Sequence, residues 1–211
     1  MKDVTSARTA LRKLPDGRLE ATIEHEELAG VTPEMLVWWF RYFPQGKYEF
    51  GGKLVTLYRI WHPRDHIRLE MQRNARSGEP GVSRGAKIII RERIGKKITR
   101  TLARVRKMDE TGLRLVVRRF FFEVGNLEHE FTRTATGTGY RSRLVVGSQA
   151  PIVGRLLTAL ATRFGFDEQT ARAWLKHNVE EVGNFQFFLP QMYAQRPPEE
   201  LLQRRRWGER T

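Results

Sequence analysis

The order of elements in this 211-residue chain predicts an α+β fold: a curved antiparallel sheet wrapped on one long C-terminal helix, with an internal cavity between them. Three observations carry the prediction. Residues 53–147 read as a nearly continuous run of strands. Residues 151–187 read as helical. One short helix of bulky apolar side chains separates a first strand from that run. A sheet has a face to bury, and the last helix is long enough to cover it.

Residues 1–17 are polar, contain Pro15-Asp16-Gly17 and read as a tail ending in a turn. Leu19 to Glu26 form a first strand, with Leu19, Ala21 and Ile23 alternating against Glu20, Thr22 and Glu24. Thr32-Pro33-Glu34 starts a helix: Thr caps, Pro takes the first helical position, and Glu meets the positive end of the dipole. It runs through Met35, Leu36, Trp38, Trp39 and Phe40 and stops before Pro44-Gln45-Gly46. Lys53 to His62 is rich in strand formers, Pro63-Arg64-Asp65 breaks it, and His66 to Met71 resumes. Asn74 to Gly85 reads as a loop. Ala86 to Ile94 and Ile98 to Lys107 make a hairpin about Gly95-Lys96-Lys97. Leu113 to Phe122 is a strand, Gly125-Asn126 a turn into Leu127 to Thr134, and Gly137-Thr138-Gly139 leads into Tyr140 to Val146.

In the last third, Ile152, Leu156, Leu157, Leu160 and Phe164 recur near helical spacing. Asp167 then caps a final helix expected to reach Phe187, before Pro190. The chain thus divides into a tail (1–17), one domain (18–190) and a basic tail (191–211) holding Pro197-Pro198 and Arg204 to Arg206. This element order is that of the helix-grip folds, the START and Bet v 1-like architectures.

Composition narrows the function classes. An apolar fraction of 40%, with twelve Phe, five Trp and five Tyr, is enough for a substantial core. The absence of cysteine removes disulfides, thiolate metal sites and a cysteine nucleophile, and fits a cytoplasmic location. Any metal must therefore sit on His, Asp or Glu. No signal peptide or bilayer-spanning segment is legible, so no membrane partner is expected. The net charge of +14 invites a nucleic-acid reading, but the basic residues are scattered, largely at alternate strand positions, and match no nucleic-acid-binding motif. No specific nucleic acid is expected. The oligomeric state stays open, a homodimer being one candidate.

The stretch His177-Asn178-Val179-Glu180-Glu181-Val182-Gly183-Asn184-Phe185 carries the chemistry. On a continuous helix, His177 and Glu181 are i and i+4 neighbours, on a face shared with Trp174 and Phe185. An ionisable pair on an apolar stripe is costly unless compensated, and a divalent cation is the usual compensation. The plainer alternative is a surface hydrogen bond between the two. A second stretch, Tyr58 to His66, holds His62 and His66 around Pro63. A third places Glu92 on the face of Ile88, Ile90 and Ile94.

Together, Tyr58 to His66, Glu92-Arg93-Ile94-Gly95, Leu127-Glu128-His129-Glu130-Phe131 and His177 to Pro190 resemble the diacetylphloroglucinol hydrolase family, which includes phloretin hydrolase. The resemblance spans residues 30–190. It implies zinc-dependent hydrolysis of a carbon–carbon bond joining an acyl group to a polyphenol ring, on a START-like scaffold, with an aromatic ketone or polyphenol as small-molecule partner. It implies a His/Glu/His/Glu zinc site with His177, Glu181 and Glu92 as ligands. Both His62 and His66 are available as the remaining ligand. His66 is preferred because the family's tyrosine then falls on Tyr58, leaving His62 beside the ligands. His129 and Glu180 are the candidate acid–base groups, with His129 able to protonate the departing ring carbon. Tyr58 and Tyr140 would orient phenolic hydroxyls, and Trp38, Trp39 and Phe121 would line the pocket, plain core packing being the alternative for each aromatic. The family's asparagine that holds a phenolic hydroxyl has no clear counterpart. A rival reading is a non-catalytic carrier for an aromatic or polyketide ligand.

Overall fold

A computed structural model describes residues 1–50, 52–73 and 81–196. Most of the loop expected over residues 74–85, and the Pro197-Pro198 and Arg204 to Arg206 segments, lie outside the described residues. The N-terminal residues are not a tail. A 3-10 turn at Val4–Ser6 leads into β1 (Ala7–Lys13), which pairs along its full length with β2 (Leu19–His25). Gly17, at φ 87, turns the chain between them. The two-residue β3 (Leu28–Ala29) precedes α1 (Pro33–Tyr42). Thr32 holds the extended N-cap position of α1 but gives the backbone no side-chain hydrogen bond; its hydroxyl engages Glu34 instead.

The strand expected over residues 53–62 holds only as β5 (Lys53–Thr56), hairpinned with β4 (Lys47–Phe50), and then gives way to a short helix, α2 (Leu57–Trp61). Strand-forming composition yields here to packing. Helical spacing buries Leu57, Tyr58 and Trp61 together, which alternation would not allow. The strand run follows as β6 (His66–Arg73), β7 (Lys87–Ile94), β8 (Lys97–Asp109), β9 (Gly112–Arg119), β10 (Phe122–Arg133) and β11 (Gly137–Val146). The sheet is antiparallel in the order β1-β2-β11-β10-β9-β8-β7-β6, with β3 on β11. The β9–β10 turn falls at Phe120 and Phe121, not at Gly125-Asn126. Gly125 marks a register shift inside β10, where an added Cβ would lie 3.3 Å from Val117.

The expected helix over residues 151–164 is shorter. α3 (Gly154–Leu160) runs into a π turn at Ala161–Gly165, and Leu156 and Leu160 face solvent. The last helix, α4 (Glu168–Ala194), starts where the Asp167 carboxylate accepts the Thr170 backbone N–H at 2.8 Å. It runs through Pro190 instead of ending before it. Its buried stripe, from Trp174 through Val182 and Phe185 to Leu189 and Met192, lies across the concave face of the sheet, giving the helix-grip architecture. Phe40, Phe185 and Leu189 are essentially unexposed, each contributing roughly 1.5–3 kcal/mol of burial. Among the described residues, no helix is long and apolar enough to cross a membrane.

Candidate metal centre

Strand register and helix periodicity bring four side chains to one point. His66, the first residue of β6, is paired directly with Glu92 of β7, and both lie under α4. His177 and Glu181 descend from α4 one turn apart. The His66 Nε2 lies 3.1 Å from Glu181 Oε2 and 3.9 Å from Glu92 Oε2. The His177 Nε2 lies 3.6 Å and 3.8 Å from the same two oxygens. Ligand bonds of about 2.0–2.2 Å in a tetrahedron separate the ligand atoms by roughly 3.3–3.6 Å. The donor atoms of His66, His177 and Glu181 therefore sit close to the spacing a zinc ion requires, with the Glu92 oxygen somewhat further out, at 3.9 Å and 3.8 Å from the two imidazole nitrogens. Both Nε2 atoms are buried with no hydrogen-bond partner, and a buried nitrogen in that state is costly unless something occupies the space before it.

Surrounding groups aim these atoms. The His66 Nδ1–H donates to the Tyr58 carbonyl at 2.7 Å, and the ring stacks on Tyr58 with centroids 3.8 Å apart. That bond fixes the proton on Nδ1 and leaves the Nε2 lone pair free. The His177 Nδ1–H donates to the Asp65 carboxylate at 3.2 Å. The Tyr58 hydroxyl donates to Glu92 at 2.9 Å, and the Asn178 amide donates to Glu181 at 2.5 Å. Asn184 donates to the carbonyls of Ile60 and Trp61, tying α4 to the helix that presents Tyr58.

His62 plays a different part. Its Nδ1 accepts the Asp65 backbone N–H at 3.2 Å and its Nε2 bonds Glu180 at 3.2 Å, and with Asp65 and His177 it forms a second group of donor atoms close enough together to hold a cation. The ring stacks on His177 with centroids 4.5 Å apart. Of the two candidate histidines, His66 is the one aimed at His177, Glu92 and Glu181. Glu180 also accepts from Arg64 at 3.1 Å.

The charge states follow from burial. Burial drives His66 down to about 3, with His177 adding to the effect. Burial pushes His177 down as well, but Glu181, Asp65 and Glu92 outweigh it and lift this ring to about 9. Burial raises Glu181 above the usual carboxylate range, against the pull of His177 and His62. Glu181, Asp65 and Glu92 thus surround one charged imidazole in a largely buried site, a cluster that suits a divalent cation.

The remaining sequence candidates separate into two groups. Tyr140 on β11 is buried with an unpartnered hydroxyl, and it feels the Glu181 charge. His129 on β10 is buried, stacks on Phe40 and bonds the Ser142 hydroxyl through Nδ1 at 3.0 Å. Trp39 is core, packed among Phe43, Trp61, Phe185 and Phe188. Trp38 is half-buried and meets Tyr42 at a tilt and Tyr193 edge-on. Phe121 is 85% exposed on the β9–β10 turn and lines no interior surface. The sequence assigns no role to Asp65, Asn178, Ser142 or His25: the first two lie inside the motif stretches but beside the ligand positions, and the last two belong to no recognisable local motif. A groove of about 690 Å³ between the β1–β2 turn and α3, lined by Lys13, Asp16 and Arg155, contains none of the site residues.

A family model described as DAPG hydrolase PhiG domain matches residues 5–117. The matched span includes Tyr58, His62, His66 and Glu92 and ends before the strands and helix that complete the site. No curated protein matches the sequence. Among solved structures, the crystal structure of Ara h 8.0201 is 10% identical with a TM-score of 0.48, covering 88% of this chain and 99% of that one. KanY protein is 8% identical with a TM-score of 0.47, covering 90% and 99%. A START superfamily protein from Mycobacterium smegmatis is 15% identical with a TM-score of 0.42, covering 78% and 98%.

Proposed function

The chain belongs to the DAPG hydrolase family, and from that membership we propose that it is a zinc-dependent hydrolase cleaving the carbon–carbon bond between an acyl group and a polyphenol ring. The observation that carries the metal reading is the pair of buried, unpartnered nitrogens, His66 Nε2 and His177 Nε2, facing the carboxylates of Glu92 and Glu181. Zinc held by these four groups would polarise the substrate's ketone and offset the charge that develops on its oxygen.

The chain's own residues supply the rest. Asp65 and the Tyr58 carbonyl hold the two imidazoles in the orientation that exposes Nε2. The Tyr58 hydroxyl keeps Glu92 in place, and the free Tyr140 hydroxyl near Glu181 suits a phenolic oxygen of the substrate. His129 has Nδ1 engaged by Ser142, which leaves Nε2 as the atom that takes a proton from water and gives one to the ring carbon. Hydroxyls ortho and para to that carbon let it leave with the electron pair of the broken bond. The aromatic wall of Phe40, Trp61 and Phe185 excludes water around the acyl group.

The test is elemental zinc content and turnover of acylated phloroglucinols by untagged protein, with His177→Ala and Glu181→Ala alongside. About one zinc per chain, lost in both variants together with release of carboxylic acid, is the expected result. A zinc-free parent that binds phenols without turnover would establish a carrier instead.

A further inference from the structure

Three adjacent strands place a second buried polar chain beside the metal centre. Ser142 of β11 lies opposite His129 of β10 on one side and Ile23 of β2 on the other. His25 is two residues beyond Ile23 on the same face of β2. The Ser142 hydroxyl, completely buried, lies 3.0 Å from His129 Nδ1 and 3.0 Å from His25 Nε2. The far side of His25 meets the Asn178 side chain of α4, and its strand end emerges where Lys2 and Glu26 pair. His25 is half-buried, so this chain runs from the surface to the interior.

We propose that His25 and Ser142 form a proton wire to His129, through which His129 exchanges a proton at Nε2 with a reacting group without becoming charged. The proposal rests on the hydrolase reading above. A serine hydroxyl has one proton and lies between two imidazole nitrogens, so it can donate to only one of them. In one state His25 Nε2–H donates to Ser142 Oγ, Ser142 Oγ–H donates to His129 Nδ1, and His129 carries its proton on Nε2, ready to act as an acid. In the reversed state His129 Nδ1–H donates to Ser142, Ser142 donates to His25 Nε2, and His129 presents a bare Nε2, ready to act as a base.

The two states interconvert with the protons conserved. When the Nε2 proton of His129 passes to the ring carbon and forms the new C–H bond, Ser142 gives its proton to His129 Nδ1. His25 gives its Nε2 proton to Ser142 and takes one up at Nδ1. Uptake of a water proton at His129 Nε2 runs the same shifts backwards. Burial is what makes such a wire necessary. Burial pushes His129 down to about 3, with the nearby His25 adding to the effect, so an imidazolium is not accessible at neutral pH. Burial likewise holds His25 at about 3 and keeps it neutral, with Asn178 opposing that shift. His25 is a positioning residue here, since it acts on substrate only through His129.

The wire makes a prediction that needs no substrate: both rings must carry their protons on the same-named nitrogen. Ring-nitrogen NMR of the full-length, zinc-supplemented protein labelled at histidine reads each tautomer directly. The expected result is two neutral rings, both protonated at Nε2 or both at Nδ1, with that correlation lost in Ser142→Ala. Opposite tautomers in the parent, or a charged His129, would overturn the wire whether or not the protein is a hydrolase. Kinetics add a second readout. Ser142→Ala should lower kcat about 10²–10⁴-fold with KM and zinc content unchanged, and Ser142→Thr, which keeps the hydroxyl, should recover most of the loss. Imidazole in the buffer should partly restore His25→Ala. A kcat unaffected by Ser142→Ala in an active parent would refute the wire. Paired tautomers in a protein with no acyl-phenol turnover would leave the wire standing and remove the proposed function.

Discussion

Replacing Asp65 by Asn separates the hydrogen bond behind the metal site from the ligands themselves. Among the four proposed ligands, the Asp65 carboxylate meets only His177, accepting its Nδ1–H at 3.2 Å, on the side of the ring opposite Nε2. Asparagine keeps the size and one acceptor oxygen but removes the charge. A carboxylate behind a ligating imidazole raises its basicity, and losing such a partner weakens metal binding about 10–100-fold. At 1.4 kcal/mol per decade the loss is roughly 1.4–2.8 kcal/mol. A chain of this length shifts by about 2–4 °C in Tm per kcal/mol. The rise in Tm that zinc confers at fixed free concentration should therefore shrink by roughly 3–11 °C. Zinc affinity is read by competition with a chromophoric chelator, and the Tm shift by melting with and without zinc. Equal affinities in parent and Asp65→Asn would refute the assignment of His177 as a ligand oriented by this carboxylate.

The metal-free protein should lose stability between about pH 6.5 and 9, because His177 is lifted to about 9 in the fold, so its contribution is full below its ordinary value of 6.5 and gone above 9. His62 and His66 are lowered, and so cost stability only at acid pH. Melting in chelator across that range checks the slope, which should flatten when zinc is added. Gly112→Ala should destabilise the chain by about 1–3 kcal/mol in denaturant melts. Gly112 sits at φ +146, and an added Cβ would meet the His129 carbonyl oxygen at 2.1 Å, so turnover should fall with it. Phe121→Ala should leave KM for an acylated phenol unchanged, because the ring stands in solvent on the β9–β10 turn; a raised KM would return Phe121 to the substrate site.

What could be read in advance was whatever one element carries by itself. His177 and Glu181 were legible because helical periodicity alone places them together, and Glu92 because it alternates with isoleucines on one strand face. The pairing of His66 with Glu92 depends on register between strands, and pattern alone does not give register. Asp65 sits in a proline turn and reads as a surface residue until α2 and α4 close over it. β1 escaped notice because an edge strand with little burial has no apolar stripe to betray it. The β9–β10 turn was displaced by a glycine that serves as a bulge, and that error moved Phe121 into a pocket it does not reach. Pro190 reads as a stop in the sequence, yet the burial of Leu189 and Met192 holds the helix on the sheet past the missing hydrogen bond.

One helix holds both chemical systems, and Asn178 stands between them. His177 and Glu181 reach toward β6 and β7, while Asn178 sits above the end of β2. Its amide nitrogen donates to Glu181, which leaves the buried carbonyl oxygen to face the His25 ring. An aspartate there would add another negative charge beside Glu181, and an apolar residue would strand that carboxylate without its donor. An asparagine satisfies the carboxylate and offers an acceptor to the His25 ring. The reversed state of the wire is the one in which His25 carries a proton on Nδ1, and an acceptor beside that ring is what would stabilise it. The identity of residue 178 thus bears on the metal site through its nitrogen and on proton delivery through its oxygen, which explains why a polar side chain with both functions is buried at this point of α4.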